Sequence, residues 1–586
     1  MKRILFIFLV TFWSLSAQAE VVARHGEGTL EIIGGVRVLR LRGTPYEMGK
    51  QHGALLAEEI RQGPVPYFVG SIDRALERIP LLRKSEILRE IAKSAAQNIL
   101  FKPLQLNLPK YYREGLRGMA DGSGLSLDAF LTASVLPDAA MLLADTLYGR
   151  SFAATSSFQM MGCTTFVAHG PATTTGEMII GRNLDYPIVG YWDRYPTIIY
   201  YEPNEGMKYL AVGAPGINTA GITGLNEAGL TLTLHNHSGK STTARGIPIV
   251  ALTNEVIRQS HDIDEAIAML RRLKPASNWS INLSHWPSRT AAVVEFSPSG
   301  MAVRKMEGNI IAQTNFFHNK NLRTDEIFIS QGIEDNIFTR YERVMELLDQ
   351  QDGSIDPASA AVILGDHVDA MTGMVRGAGR VLAALTNITS VVIAPERKKI
   401  YVATGRAPVS NSPYLELPLE WDITSTAEMT PQYLEGNTFR FDEAKFEALQ
   451  QYIRAYKIIE DNGNLNEAIA HLQEAVRLHP DDGHYWLTLG VIALKEGESL
   501  QALSYFQSAL QRELALTQQQ LTWLYQGRAF DVMGDRRSAL AAYQIIPTLG
   551  AMDRVLKERL ASALRRSFTL EDALDIDFQF EFFDLR

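Results

Sequence analysis

The sequence predicts an α+β protein: a body of packed antiparallel sheets covered by helices, followed by an all-α region. Three observations carry this. Apolar residues recur at three- and four-residue spacing through most of residues 42–150. After Cys163 the texture changes to short β-rich runs separated by turn residues, and beyond Phe441 a helical pattern repeats. Strands and helices arrive in blocks and not in strict alternation, which argues against a doubly wound parallel sheet.

Taken in order, the chain opens with Lys2 and Arg3, an apolar stretch from Ile4 to Leu15 and the small-x-small site Ala17-Gln18-Ala19. This reads as a secretory signal peptide, residues 1–19, removed before Glu20, because a dozen apolar residues are too few for a membrane span. The mature protein is then expected to be exported, periplasmic or secreted, and not membrane-spanning. Residues 29–41 alternate like a strand, and 45–62, 85–100, 111–120 and 127–135 carry helical spacing, so residues 20–162 form a mainly helical segment. Strand-like runs follow at 164–169, 178–181, 197–201, 209–212, 230–236, 281–285, 291–296, 390–394 and 399–404. Helical patterns occupy 249–258, 263–273 and 340–348. The β-rich domain is placed at 163–430.

In residues 441–570, Gly463-x4-Ala468, Gly497-x4-Ala502 and Gly534-x4-Ala539 recur at spacings of 34 and 37 residues, each alanine followed four residues on by Leu472, Phe506 or Tyr543. Pro480 closes the first unit. The pattern resembles tetratricopeptide repeats, in which a small alanine lets two helices approach and a larger residue one turn later fills the gap. A plain helical bundle is the competing reading. The resemblance implies a protein or peptide partner at the repeats, or a capping role. The apolar closing segment Phe578-x-Phe580-x-Phe582-Phe583 needs burial somewhere.

Composition narrows the function classes. With 586 residues the chain has room for two to four domains, and 46% hydrophobic with 21% charged residues is ordinary globular composition. Lys plus Arg total 57 against 66 Asp plus Glu, a formal charge of −9, so nothing favours a nucleic-acid backbone as partner. The single cysteine, Cys163, excludes an intramolecular disulfide and any thiolate cluster.

Several motifs only imitate chemistry. Gly43-Thr-Pro-Tyr-Glu-Met-Gly49-Lys50 has five residues between its glycines where a phosphate loop has four, and Gln51 stands where Ser or Thr would bind magnesium. His235-Asn236-His237 would put two imidazoles on one strand face, but no further ligand cluster accompanies them, so no metal is assigned. There is no Gly-x-Ser-x-Gly elbow.

Cys163 stands in Met160-Met161-Gly162-Cys163-Thr164-Thr165. A cysteine in an apolar strand is ordinarily packing. This one follows a glycine at the point where the texture switches. Its thiol can attack the Gly162 carbonyl, and hydrolysis of the resulting thioester would free an amino group on Cys163. That amine, with a reference pKa of about 7.7–8.0, can serve as general base for its own thiol.

Gly162-Cys163-Thr164-Thr165, Gly181-Arg182-Asn183-Leu184-Asp185 and Gly224-Leu225-Asn226-Glu227-Ala228-Gly229-Leu230, in this order, resemble the acyl-coenzyme A:6-aminopenicillanate acyltransferase family of N-terminal-nucleophile hydrolases, relatives of choloylglycine hydrolases, penicillin V acylases and acid ceramidase. Tyr46-Glu-Met-Gly49-x-x-His52-Gly53 and Ala120-Asp-Gly-Ser-Gly124-Leu-Ser126 resemble the helical pro-segment of the acyltransferase branch. The likeness covers about residues 28–410. It implies an αββα sandwich, cleavage between Gly162 and Cys163, and no cofactor.

The resemblance also implies roles. Cys163 matches the nucleophile, and Arg182 and Asp185 the pair that orients thiol and amine. Asn236, eighth residue of the run that starts at Gly229, matches an oxyanion-hole asparagine. Asn315 matches the second asparagine, and Arg340 an arginine that holds the network. Asp185 lies 22 residues after Cys163, farther than in choloylglycine hydrolases, which implies a longer turn around residues 172–175. Physically, Arg182 would favour thiolate by its charge, and an asparagine amide would stabilise an oxyanion by about 3 kcal/mol. Taken singly, Arg and Asp three apart also read as a surface ion pair and Asn-Glu-Ala-Gly as a turn. The expected substrate is a small-molecule acyl amide or ester, its acyl pocket drawing on Trp279, Trp286, Phe316 or Phe317. Two competitors stand beside this: a non-catalytic exported protein that binds a partner through its repeats, and a papain-like thiol protease that pairs Cys163 with a separate histidine.

Overall fold

The computed structural model describes residues 20–77, 79, 82, 84–147, 162–328, 331–421, 429–434 and 443–576. The expected leader, Met160, Met161 and the closing phenylalanine segment lie outside the described residues.

Two sheets form the body. A ten-stranded sheet follows chain order from Glu20–His25, Gly28–Ile33 and Val36–Gly43 through Thr197–Pro203 and Leu230–Asn236 to Trp279–His285 and Gly300–Lys305. A seven-stranded sheet runs Ile310–Gln313, Gly162–Gly170, Gly176–Asp185, Asn387–Ala394, Lys399–Ala403, Tyr414–Pro418 and Tyr433–Leu434. Neighbours pair antiparallel except Val36–Gly43, which runs parallel to Thr197–Pro203.

Alternation along the strands sorts apolar residues into layers. Val38, Ile198, Leu210 and Val293 of the larger sheet pack on Val167, Ile180, Val391 and Ile400 of the smaller. The smaller sheet's other face, with Phe166, Ile179, Val392 and Tyr401, is covered by helices Gln331–Gln350 and Pro357–Leu364 through Val344, Leu348 and Leu364. The larger sheet's other face buries Leu39, Ile199, Leu232 and Ile281 against helices through Met48, Leu116, Leu136 and Val256. The order is helix, sheet, sheet, helix, which accounts for strands buried on both faces.

The segment before Cys163 is woven into this body. Residues 20–43 supply three strands of the larger sheet, and helices Pro45–Leu55 and Lys110–Ser123 cross in backbone contact. A Cβ on Gly49 would lie 2.0 Å from the Gly115 carbonyl oxygen, and one on Gly122 2.3 Å from that of Lys50. Only glycine fits such a crossing, which explains the glycines of both motifs. Gly124 ends the second helix at φ +78°. The helix predicted at 127–135 runs on from Leu127 to Leu147 through Pro137. Sequence rules end a helix at such a proline. Here the next residue, Asp138, is fully buried and accepts hydrogen bonds from Ser277 Oγ (2.6 Å) and the Ile249 amide (2.8 Å), anchoring the continuation.

His52 gives the segment a pH dependence. Its Nε2 accepts the Gly216 amide at 3.0 Å, and burial holds its pKa down to about 4. The folded state therefore binds the proton less tightly than the unfolded chain. Stability from the neutral imidazole is complete above about pH 6.5 and is lost as pH falls toward 4, on the order of 3 kcal/mol in all. The thermal midpoint of His52→Gln, which keeps an acceptor but cannot titrate, should fall less than wild type between pH 7 and pH 4. Parallel acid limbs would refute the assignment.

Residues 443–576 are helical. Ala468, Ala502 and Ala539 are fully buried, as are Leu472, Phe506 and Tyr543. The Phe506 and Tyr543 rings lie against Gly490 and Gly527, where a Cβ would come within 2.3 and 2.2 Å of them. Gly463, Gly497 and Gly534 have φ of +67°, +85° and +81° and turn the chain between successive helices. Gln450 Nε2 donates to the Ala407 carbonyl (3.0 Å) and Tyr191 Oη to Asp461 (3.1 Å), docking these helices on the body.

Candidate active site

The strands Gly162–Gly170 and Gly176–Asp185 form a hairpin whose register sets Cys163 opposite Leu184 and Gly162 opposite Asp185. The longer turn expected near residues 172–175 joins them. Residues an odd number apart on a strand point to opposite faces, so Arg182 and Asp185 approach the cysteine from two sides. Arg182 lies between the sheets with the thiol. Asp185 lies beside Gly162, where a Cβ would come within 2.8 Å of its Oδ2.

The six candidate catalytic residues lie together here. Arg182 Nη2 donates to Cys163 Sγ at 3.3 Å and to the Leu234 carbonyl at 2.7 Å. The Cys163 amide donates to Asn315 Oδ1 at 2.7 Å. Arg340 Nη1 donates to the Cys163 carbonyl at 2.9 Å and its Nη2 to Asn315 Oδ1 at 3.1 Å, while Nε holds Asn336 at 3.0 Å. Asn315 Nδ2 donates to the Asn236 carbonyl at 3.1 Å. Asp185 Oδ1 accepts from Asn387 Nδ2 at 2.8 Å, and its buried Oδ2 has no hydrogen-bond partner among the described residues.

Electrostatics correct one expectation. Burial pushes the Cys163 thiol above its ordinary pKa although Arg182 pulls it down, so in the uncut chain desolvation outweighs the guanidinium. Burial likewise raises the Asp185 carboxyl, against Arg340, Asn387 and Arg182.

The Asn236 amide faces the helix Leu127–Leu147, its Nδ2 lying 3.6 Å from Met141 Sδ. A thioether is a weak acceptor. That donor is thus capped without a strong competing bond.

Sequence reasoning missed several members. Asn387, which holds Asp185, lies 202 residues along the chain from it, and Asn336, one helical turn before Arg340, has no motif around it. His235, a metal-ligand candidate by sequence that reads equally as a hydrogen-bonded strand residue, belongs to the site. It is fully buried, and burial, then Arg182, holds it well below its ordinary pKa; its Nε2 faces Thr165 (2.9 Å), Asn282 (3.0 Å) and Arg182 (3.3 Å). Two of these are amide or guanidinium donors, which occupies the lone pair a papain-like base would need. The four aromatics sit in packing roles. Trp279 bonds Ser277 Oγ at 2.7 Å, Phe317 stacks on His237, Phe316 packs on Phe338 and Tyr341, and Trp286 packs against the core between the sheets. Among the described residues no group of three or more His, Cys, Asp or Glu is placed to hold a metal ion.

A buried cysteine at the head of a strand, set between stacked sheets, bonded by two arginines and an asparagine with an aspartate and a second asparagine beside it, is an arrangement suited to acyl transfer. The sequence model of the family acyl-coenzyme A:6-aminopenicillanic acid acyl-transferase matches residues 172–407, a stretch that begins after Cys163 and holds the other five site residues. An uncharacterized protein of Archaeoglobus fulgidus is 26% identical over 288 residues, 47% of this chain and 45% of its own length. The proteins dcd1B and dcd1A of Dictyostelium discoideum are 24% and 22% identical, each over 45% of this chain and over 50% and 58% of their own lengths. The chain spans about half the length of the curated relatives it matches.

Proposed function

We propose that the chain is the precursor of a cysteine N-terminal-nucleophile amidohydrolase or acyltransferase with an αββα catalytic domain, activated by cleavage between Gly162 and Cys163. The observation that carries this is the hold on one residue: the Cys163 amide, carbonyl and sulfur are each bonded by a side chain named in advance, Asn315, Arg340 and Arg182. The family match over residues 172–407 supports an enzyme of this class.

In maturation Cys163 Sγ adds to the Gly162 carbonyl and the peptide nitrogen leaves as the Cys163 amine. Water then splits the thioester and releases the Gly162 carboxylate. Asp185 Oδ2, which has no hydrogen-bond partner among the described residues of the uncut chain, is available to the new ammonium. In turnover the amine takes the thiol proton, Sγ attacks the substrate carbonyl, and the Asn236 amide donates to the oxyanion. The leaving group takes a proton from the ammonium, and water resolves the thioester by the reverse path. The residues themselves supply nucleophile, base and oxyanion donors, so no cofactor enters these steps.

The leader at residues 1–19 favours an exported protein, where acyl-coenzyme A is scarce, hence hydrolysis over transfer from coenzyme A. No described helix is long and apolar enough to cross a membrane. The glycine-turned helix pairs after residue 443 support a tetratricopeptide-like reading, with a peptide or protein partner.

Intact mass of purified protein tests the proposal. Two pieces are expected, residues 20–162 and 163–586, which separate in denaturant but co-elute in native buffer, since three strands of the first lie in the sheet of the second. A single uncut chain, with no free amine on Cys163, would overturn it.

A further inference from the structure

One buried cluster beside the site has no part in these steps. His237 Nδ1 is hydrogen-bonded to Glu326 Oε1 at 3.1 Å, and its Nε2 to Ser280 Oγ at 2.8 Å. The same Glu326 oxygen accepts the Phe317 amide at 2.7 Å, and the Phe317 ring stacks on the imidazole at 4.1 Å and 1°. Further, the main chain of Asp325–Ile327 pairs with that of Ser238–Lys240: Ile327 N donates to the Ser238 carbonyl (2.9 Å) and Lys240 N to the Asp325 carbonyl (2.8 Å).

What these groups join decides the reading. His237 follows Asn236 directly, and Phe317 lies two residues after Asn315. One carboxyl oxygen therefore ties the segment that bears the first asparagine to the segment that bears the second. The asparagines are themselves linked by the Asn315 Nδ2 bond to the Asn236 carbonyl, 3.1 Å. The result is a loop closed by three hydrogen bonds and two short stretches of main chain: Asn236–His237, Glu326, Phe317 back to Asn315, and Asn315 to Asn236.

We propose that Glu326 and His237 are positioning residues for acyl transfer at Cys163, fixing the separation of the Asn236 and Asn315 amides through this loop. The inference rests on the function proposed above. Its chemistry fits the burial. Burial pushes Glu326 up to about 8, opposed by the Phe317 amide and Arg323, and holds His237 down to about 3, against Glu295. His318 and Glu334, two further titratable groups nearby, are likewise shifted toward their neutral forms by burial. Burial thus favours the neutral form of both groups, joined by one hydrogen bond between Nδ1 and Oε1. A neutral clamp orients the asparagines without putting a net charge beside a developing oxyanion.

The lone cysteine makes the test clean, because iodoacetamide labelling reports on Cys163 alone. Alkylation needs the nucleophile and no oxyanion donors. Mature Glu326→Ala should turn over p-nitrophenyl acetate with kcat lowered by about 10- to 100-fold, as expected when a reacting geometry is loosened by a fraction of an ångström. Its alkylation rate should stay within about twofold of wild type, since Arg182 and the thiol are untouched. Glu326→Gln, which keeps an uncharged acceptor at Oε1, should recover kcat to within about threefold. Wild-type turnover in Glu326→Ala, or alkylation that falls in step with turnover, would overturn the proposal. Should Glu326→Ala not fold, Ser280→Ala decides: it loses one bond to His237, and a lowered kcat with unchanged alkylation supports the loop, whereas an unchanged kcat removes it. Wild-type protein that never cuts is read before any variant, and counts against the parent proposal alone.

Discussion

Cys163→Ala stays a single uncut chain and loses acyl transfer by roughly 10³-fold or more, because nucleophile and base reside on one residue and both vanish together. Nothing structural should mask the result. Arg182 keeps its 2.7 Å bond to the Leu234 carbonyl, and the Cys163 amide and carbonyl contacts to Asn315 and Arg340 are made by main-chain atoms that alanine retains. The variant should therefore melt within a few degrees of wild type while intact mass shows no cut at residue 162. An alanine variant that is still cleaved would show that another protease makes the cut.

Asn236→Ala separates the oxyanion donor from the nucleophile. The variant should lose about 10²- to 10³-fold in kcat, the usual cost of one oxyanion-hole donor, with iodoacetamide labelling of Cys163 unchanged. The strand should survive the substitution, because Asn236 pairs with Trp279 through its backbone and its carbonyl still receives Asn315. Among the described residues the side-chain amide donates to Met141 Sδ alone, 3.6 Å away, so the truncation leaves no stranded strong acceptor there. Equal losses in labelling and turnover would assign Asn236 to the fold and not to the oxyanion.

Much of the body was legible in the sequence. The hairpin from Gly162 to Asp185, the strand Leu230–Asn236 and the helices near 249 and 263 follow from two- and 3.6-residue periodicity, which burial imposes locally. Less legible were Gly300–Lys305, Ile310–Gln313 and Pro357–Leu364, too short or too uniformly apolar to show a period. The run-on of the 127 helix past Pro137 was hidden for another reason: what holds it is a carboxylate buried against Ser277 and Ile249, more than a hundred residues away.

The site divides in the same way. Its six named residues could be read because each lies in a short motif whose order along the chain is itself informative. Arg182 and Arg340 are its most connected members, Arg340 bonding Cys163, Thr164, Asn315 and Asn336. Asn387, Asn336, Met141 and Glu326 carry no local signal, since each is a single polar or soft side chain whose meaning is its partner.

The sequence by itself determined that one cysteine follows a glycine where helix gives way to strand, and which arginines, aspartate and asparagines accompany it. Local spacing suffices for that. Only the tertiary structure decided that the thiol is buried deeply enough to raise its pKa, that Asn236 is capped by a helix from the preceding segment, and that a glutamate ties the two asparagines together. Those are properties of desolvation and of contacts between distant segments, and neither is written in the order of residues along any one of them.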